Sequence, residues 1–191
     1  ASAQGGAIAS LSAGDKGLII SFCQFLSNEA QGDKSAGGGA IYLEYARVEV
    51  SKCDFQKCIS NAGGAIYAKT QTGEFTFESC SFNENGMVAA EGGAIYLNCP
   101  KASIKDCNFK DNLGLLGGNI DLVPYSTTTS SPSQIVFDNC SFQFIEDSEN
   151  SIYFDRESDK NSESTIIMKN SRIIHTFSSE EKFHFYELAN I

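Results

Sequence analysis

One pentapeptide recurs along this chain of 191 residues, and its spacing constrains the fold more than any other feature. Its common form is Gly-Gly-Ala-Ile-Tyr. The copies are Gly5–Ala9, Gly38–Tyr42, Gly63–Tyr67 and Gly92–Tyr96, with weaker copies at Gly117–Asp121 and Glu149–Tyr153. Successive copies are separated by 33, 25, 29, 25 and 32 residues. A recurrence at this period indicates structural units that stack on one another.

A second motif alternates with the first and has the form apolar-x-x-Cys-x-Phe-x-x-Asn. It is clearest at Phe77–Asn85 and Ile104–Asn112, and its last copy, at Met168–Ile173, has Ser171 in place of Cys. Both motifs contain short alternating runs such as Val48–Val50, a pattern typical of strands. Gly pairs and β-branched triplets disfavour a helical repeat. Together the motifs predict an all-β, single-stranded parallel β-helix (a solenoid) of about six coils.

In such a solenoid, equivalent residues of successive coils lie above one another at about 4.7–4.9 Å. Each inward position of the repeat should therefore form a ladder of like side chains. The predicted cysteine ladder consists of Cys23, Cys53, Cys80, Cys107 and Cys140, and the predicted phenylalanine ladder of Phe25, Phe55, Phe82, Phe109 and Phe142. Stability should then come from stacking between neighbouring coils.

Turn residues are expected at two positions of each coil. The Gly pairs should turn the chain at the entry to a strand, because glycine adopts backbone angles that other residues avoid. The Asn that closes the second motif (Asn28, Asn85, Asn112) is expected to turn the chain in the left-handed region, or to stack into an amide ladder. The stretch from Val123 to Gln134 is expected to contain a loop that leaves the solenoid.

The paired motifs resemble those of the polymorphic outer membrane proteins, the autotransporter adhesins of chlamydiae, and similar repeats in large surface proteins of protists. The resemblance covers about residues 5–155, with degenerate units to about 176. The second copy departs from the pattern, with Cys58 at the Asn position. The resemblance implies a right-handed β-helix and an adhesive or structural role at a cell surface.

Composition restricts the possible partners. The net charge of −10 disfavours nucleic acid and anionic membranes. Residues 1–176 are predicted to form the coils, and residues 177–191 a tail that is either a short helix or the start of another coil. The chain begins at Ala1, just before a Gly-Gly copy and without an obvious cap, which suggests a segment of a longer protein.

The seven cysteines do not fit a metal site, because no Cys-x-x-Cys or Cys/His spacing is present. The ladder cysteines are expected to be free, buried thiols, since parallel Cβ vectors keep their Cβ atoms about 4.8 Å apart, beyond the usual disulfide range. Cys58 and Cys99 lie outside the ladder and could pair or react. We expect no metal and no cofactor.

No catalytic constellation is apparent, and the chain is expected not to be an enzyme. The outward residues beside the tyrosines are chemically mixed, and Asp121 and Asp155 are the nearest approach to a carboxylate pair. The best candidate contact stripe is formed by Tyr42, Tyr67, Tyr96 and Tyr153. Such a stripe suits protein or glycan binding, but stacked tyrosines can equally serve only to stabilise a sheet.

The sequence therefore predicts a non-catalytic rod, structural or adhesive, in a large extracellular or surface protein or filament. Its partners would be other proteins or further copies of itself, with glycans as another ligand class and no direct membrane contact. One alternative is a carbohydrate-binding or carbohydrate-active β-helix. A second is an intracellular scaffold subunit of a large assembly.

Overall fold

The computed structural model describes residues 4–11, 17–32, 37–44, 47–124, 133–144, 151–154 and 164–175. All the regular elements of this part of the chain are strands, grouped in three parallel sheets of six. Sheet A contains β1 (Ile8–Ser10), β4 (Ile41–Glu44), β7 (Ile66–Lys69), β10 (Ile95–Cys99), β13 (Ile120–Pro124) and β16 (Ile152–Phe154). The chain places one strand in each sheet before it returns to sheet A, so the fold is a β-solenoid.

The other two sheets repeat the same order. Sheet B contains β2 (Leu18–Ser21), β5 (Arg47–Ser51), β8 (Glu74–Glu78), β11 (Lys101–Lys105), β14 (Ser133–Asp138) and β17 (Ser164–Lys169). Sheet C contains β3 (Gln24–Leu26), β6 (Asp54–Gln56), β9 (Ser81–Asn83), β12 (Asn108–Asn112), β15 (Ser141–Phe144) and β18 (Arg172–His175). Pro124 belongs to β13, so the predicted loop between Val123 and Gln134 starts later than expected, and residues 125–132 lie outside the described part.

Register between coils follows the repeat. Ile41 pairs with Ile66, and Ile66 with Ile95, as the Gly-Gly-Ala-Ile motif predicts. The phenylalanine rings of sheet C stack nearly parallel, with centroids 4.8 Å apart at Phe55 and Phe82. Every pair from Phe25 to Phe142 has this geometry. Because each ring covers the next, the core is a continuous column of stacked apolar side chains.

The two glycines of each pair have different roles. The first glycine has a positive φ, as at Gly38 (65°) and Gly63 (59°), which confirms the predicted turn. The second glycine does not, but a Cβ on Gly64 would overlap the carbonyl oxygen of Gly93 in the next coil. One glycine therefore turns the chain, and the other lets neighbouring coils approach closely.

The predicted turn role of the Asn in the second motif is wrong. The left-handed residue is the one before it: Glu84 precedes Asn85, and Asp111 precedes Asn112. The side chains of Asn85 and Asn112 are fully buried. The Asn is needed inside the solenoid because backbone groups at this corner require buried hydrogen-bond partners.

These buried asparagines form the amide ladder that was the other expectation. Asn112 Oδ1 accepts from both the backbone N–H and Nδ2 of Asn85, each at 2.9 Å. Asn112 Nδ2 donates to the carbonyl of Phe82 at 3.0 Å and to Oδ1 of Asn119 at 2.8 Å. Asn119 in turn donates to Ser151 Oγ at 2.9 Å. The weaker copies of the first motif, which contain Asn119 and Ser151, thus continue the amide ladder that the second motif begins.

Candidate functional site

The tyrosines of sheet A form a stack on the face opposite the core. The ring centroids of Tyr42 and Tyr67 lie 4.7 Å apart, and those of Tyr67 and Tyr96 lie 4.8 Å apart, with the planes within 2° of parallel. Asp121 pairs with Tyr96, and Tyr153 with Asp121. Asp121 therefore separates Tyr153 from the three stacked rings, and the stripe is continuous only from Tyr42 to Tyr96.

The stack is more enclosed than an outward position suggests. Tyr42 is 5% exposed, whereas Tyr67 and Tyr96 are half-buried. The backbone of Gly37, just before its Gly pair, packs against the ring of Tyr67, where a Cβ would lie 2.9 Å from Cδ2. Bridges such as Gly37 to Ala62 form a further stacked column beside the rings. Sequence reasoning missed this enclosure because these bridges lie in the connections, outside the predicted strands. Whether the stripe binds a partner stays a prediction.

The hydroxyls of Tyr42 and Tyr67 remain protonated at physiological pH, because the pKa of each is raised. Burial raises the pKa of Tyr42, and the hydrogen bond from its hydroxyl to Glu44 Oε1, at 2.8 Å, raises it further. Burial and then the neighbouring Tyr96 raise the pKa of Tyr67. Tyr42 and Tyr67 therefore contribute hydroxyl groups and aromatic edges to the stack and carry no phenolate charge.

The carboxylates singled out by the sequence do not form a described pair. Asp121 is 2% exposed, and Asp155 lies outside the described residues. Two residues after each tyrosine, the strands of sheet A have Glu44, Lys69 and Asn98 in register. This row is chemically mixed. Within the described part of the chain, no group of three or more His, Cys, Asp or Glu side chains is arranged to hold a metal ion.

A polar corner groove, which sequence reasoning did not find, lies between sheets B and C. It has a volume of about 450 Å³ and is open to solvent. It is lined by Asp106, Cys107, Asn108, Asn139, Cys140, Ser141, Asn170 and Arg172. Asp106 and Asn139 have positive φ, so each corner turns its polar side chain outward. The only available signal was the recurrence of Asp, Asn or Ser just before the motif cysteine.

Hydrogen bonds between coils order this polar corner groove. Asn139 Nδ2 donates to Asp106 Oδ1 at 2.6 Å, and Arg172 Nε donates to Ser141 Oγ at 3.0 Å. The groove thus combines a carboxylate, carboxamides, a hydroxyl and a guanidinium over three successive coils. This donor and acceptor set is suited to a polar ligand that lies along the solenoid axis.

All seven cysteines are free thiols. From Cys53 to Cys140, each ladder thiol reaches a carbonyl of the preceding coil: Cys53 Sγ lies 3.7 Å from the Ile20 oxygen, and Cys80 Sγ lies 3.5 Å from the Val50 oxygen. Cys58 and Cys99, which the sequence left as possible reactive residues, are fully buried. Burial raises the pKa of Cys99, which disfavours the reactive thiolate.

The buried Cys53 thiol should make the fold less stable at alkaline pH. Burial raises the pKa of Cys53 to about 11 from 9.0, so the fold favours the neutral thiol. The stabilisation is complete below the unfolded-state pKa and is lost as pH rises from about 9 towards 11. The free energy of unfolding should therefore fall between about pH 8 and pH 10.5, with Cys53 contributing on the order of 1 kcal/mol. Urea titrations at the two pH values measure this fall.

The matched control for this pH effect is Cys53→Ser, because Ser171 already occupies the equivalent ladder position. A serine hydroxyl does not titrate in this range, so the fall should be smaller in this variant. An equal fall in both proteins would show that Cys53 does not contribute.

The family model described as "Right handed beta helix region" matches residues 6–187. The chain belongs to the right-handed β-helix family. Neither the curated proteins nor the solved structures gave a match. The handedness that the resemblance implied is thus shown by the family.

Membership of the right-handed β-helix family does not decide the activity. The family includes both enzymes and non-enzymes. The match supports the parallel β-helix repeat, but it does not extend to the specific resemblance to the polymorphic outer membrane proteins. Within the described residues, no helix is long and apolar enough to cross a membrane.

Proposed function

We propose that this β-helix is a non-catalytic rod of a large surface or extracellular protein, with a structural or adhesive role. The observation that carries the proposal is the parallel stacking of six strands in each of three sheets, which is in register apart from one shift between β12 and β15. Where a coil has them, the repeated Ile, Phe, Cys and Asn residues contact the neighbouring coils. The part of the repeat unit that recurs along the chain therefore supports a stiff scaffold, and the outward positions would bind any partner.

The resemblance to the chlamydial adhesins favours a cell-surface location over an intracellular one. The contact surface would be the tyrosine stripe, where half-buried Tyr67 and Tyr96 present ring edges and hydroxyls. Aromatic side chains with a polar end are suited to protein and glycan contacts. The partner would be another protein or a further copy of the rod, with glycans as the other ligand class.

The adhesive proposal is tested by comparing the chain with a Tyr67→Ser/Tyr96→Ser variant on a glycan array and on a panel of host-cell and matrix proteins. We expect the double substitution to reduce binding at least roughly tenfold, because it removes two of the three stacked aromatic rings entirely. Arg47→Ala/Lys101→Ala, two exposed sites on sheet B, is the control and should bind as the unchanged chain does. Equal binding by all three proteins would show that the tyrosine stripe is not the contact surface.

A carbohydrate-active β-helix is the second candidate, and the polar corner groove favours it. The same preparations should be incubated with a panel of acidic and neutral polysaccharides, and the products should be assayed for new reducing ends and unsaturated sugars. The rod proposal expects no turnover. Cleavage of any polysaccharide, abolished by Asp106→Asn, would establish the carbohydrate-active function and overturn the non-catalytic one.

A further inference from the structure

One asparagine of the polar corner groove lies in a sequence that can accept a glycan. Asn139, Cys140 and Ser141 match Asn-x-Ser, an acceptor sequence for N-linked glycosylation in secreted proteins. The sequence contains no second match to Asn-x-Ser or Asn-x-Thr. Such a motif specifies a modification site only where the fold leaves its asparagine accessible, so the position of Asn139 decides the matter.

The structure places the two ends of this tripeptide outside the solenoid and its middle residue inside. Cys140 is 2% exposed and belongs to the cysteine ladder. Asn139 is exposed at the corner between β14 and β15, where its φ is 54°. Ser141, the first residue of β15, is partly exposed. A glycan on Asn139 therefore extends into solvent and leaves the core ladder intact.

The hydrogen bond of Asn139 is compatible with a covalently attached sugar. Nδ2 donates to Asp106 Oδ1 at 2.6 Å, and this bond uses one of the two hydrogens of the carboxamide nitrogen. In the modification, Nδ2 bonds to C1 of a lipid-linked oligosaccharide, the lipid pyrophosphate leaves, and Nδ2 loses one proton. The remaining hydrogen can still donate to Asp106, so the glycosylated side chain keeps its place at the corner.

The next coil provides a matched asparagine that lacks the acceptor sequence. Asn170 follows Lys169, which pairs with Asp138, so it occupies the same corner position as Asn139. It is exposed, has a φ of 50°, and donates to Asp138 Oδ1 at 3.0 Å. Two residues later stands Arg172 rather than Ser or Thr. The two asparagines therefore differ in their acceptor sequence more than in their surroundings.

We propose that Asn139 is an N-glycosylation site whose glycan extends from the polar corner groove. The proposal rests on the surface or extracellular location proposed above, because N-linked glycans belong to secreted proteins. A glycan at this corner competes with any polysaccharide for the groove. It leaves the tyrosine stripe uncovered, since the stripe lies on sheet A and the groove lies between sheets B and C.

Expression of the full chain through the secretory pathway of a eukaryotic host tests the site. We expect most chains to migrate as a heavier band in gel electrophoresis, and peptide-N-glycosidase should remove this shift. Mass spectrometry should then find an aspartate at position 139, because the enzyme hydrolyses the glycosylated amide. Asn139→Gln and Ser141→Ala should each abolish the heavier band. Asn170→Gln, the matched control, should leave it unchanged.

Two results would overturn the proposal. One is an unmodified Asn139 in chains recovered from both the medium and the cell lysate. The other is a heavier band that persists in Asn139→Gln. Neither result bears on the adhesive role, because binding by the tyrosine stripe is compared on chains without a glycan. Conversely, a glycosylated chain whose binding does not depend on Tyr67 and Tyr96 would contradict the stripe and leave the modification site in place.

Discussion

Gly64→Ala is expected to destabilise the solenoid by more than about 4 kcal/mol, a loss that few single substitutions cause. The added methyl group would overlap the carbonyl oxygen of Gly93 and the backbone of Gly86. None of these atoms is the end of a flexible side chain, so relief requires neighbouring coils to separate. Because Gly64 lies in the middle of the rod, separation there would interrupt all three sheets. The midpoint of urea unfolding, followed by circular dichroism, measures the effect.

Gly17→Ala is the matched control for this prediction. A Cβ at Gly17 would meet its nearest neighbour, the Arg47 carbonyl oxygen, at 3.5 Å, an ordinary contact. The same chemical change should therefore alter stability by less than about 1 kcal/mol. Similar losses from both substitutions would contradict the close-approach role of the second glycine.

Phe82→Ala should be the most damaging single truncation of the core, at about 3–5 kcal/mol. The Phe82 ring is fully buried and stacks on Phe55 at 4.8 Å on one side and on Phe109 at 4.8 Å on the other. Its removal leaves a cavity that interrupts the aromatic column, and neighbouring rings cannot fill it without giving up their own stacking. Equilibrium urea unfolding measures the loss.

Phe22→Ala provides the comparison for Phe82. The Phe22 side chain is 75% exposed, and its described ring contact is with Lys52, whose Nζ lies 4.8 Å from the ring centroid. Phe22 and Phe82 are the same residue type, so the contrast isolates burial and stacking. We expect a loss of less than about 1 kcal/mol at Phe22. A comparable loss at the two sites would show that the stacked column is not the main source of stability.

The periodicity of the sequence made the core of the fold predictable. The ladders of Ile, Phe and Cys were found because a parallel solenoid repeats one local environment, so a single rule applies to every coil. The prediction of the turns was only partly right. The first glycine of each pair turns the chain, but Glu84 and Asp111 take the left-handed backbone that was expected of the following asparagines. The turn propensity of asparagine favours it at such a position. Here the buried backbone groups need a side chain that can form hydrogen bonds, and this need places the asparagine inside the solenoid instead.

The polar corner groove and the enclosure of the tyrosines could not be found in this way. Both depend on how the connections between strands lie beside the sheets. The lengths of these connections differ from coil to coil, whereas the strand motifs recur. Asn119 shows the same limit: it sits in the first motif by sequence, yet it extends the amide ladder that begins at Asn85 and Asn112 in the second. Only a three-dimensional arrangement brings these two motifs together.

By itself, the sequence determined the parallel β-helix, the in-register stacking and the identity of its core ladders, because these follow from a repeat and from the burial of like side chains. The tertiary structure decided which glycine allows coils to approach, which residue turns each corner, and which outward groups converge. These features are set by contacts between coils and between connections, so no single repeat unit contains the information that fixes them.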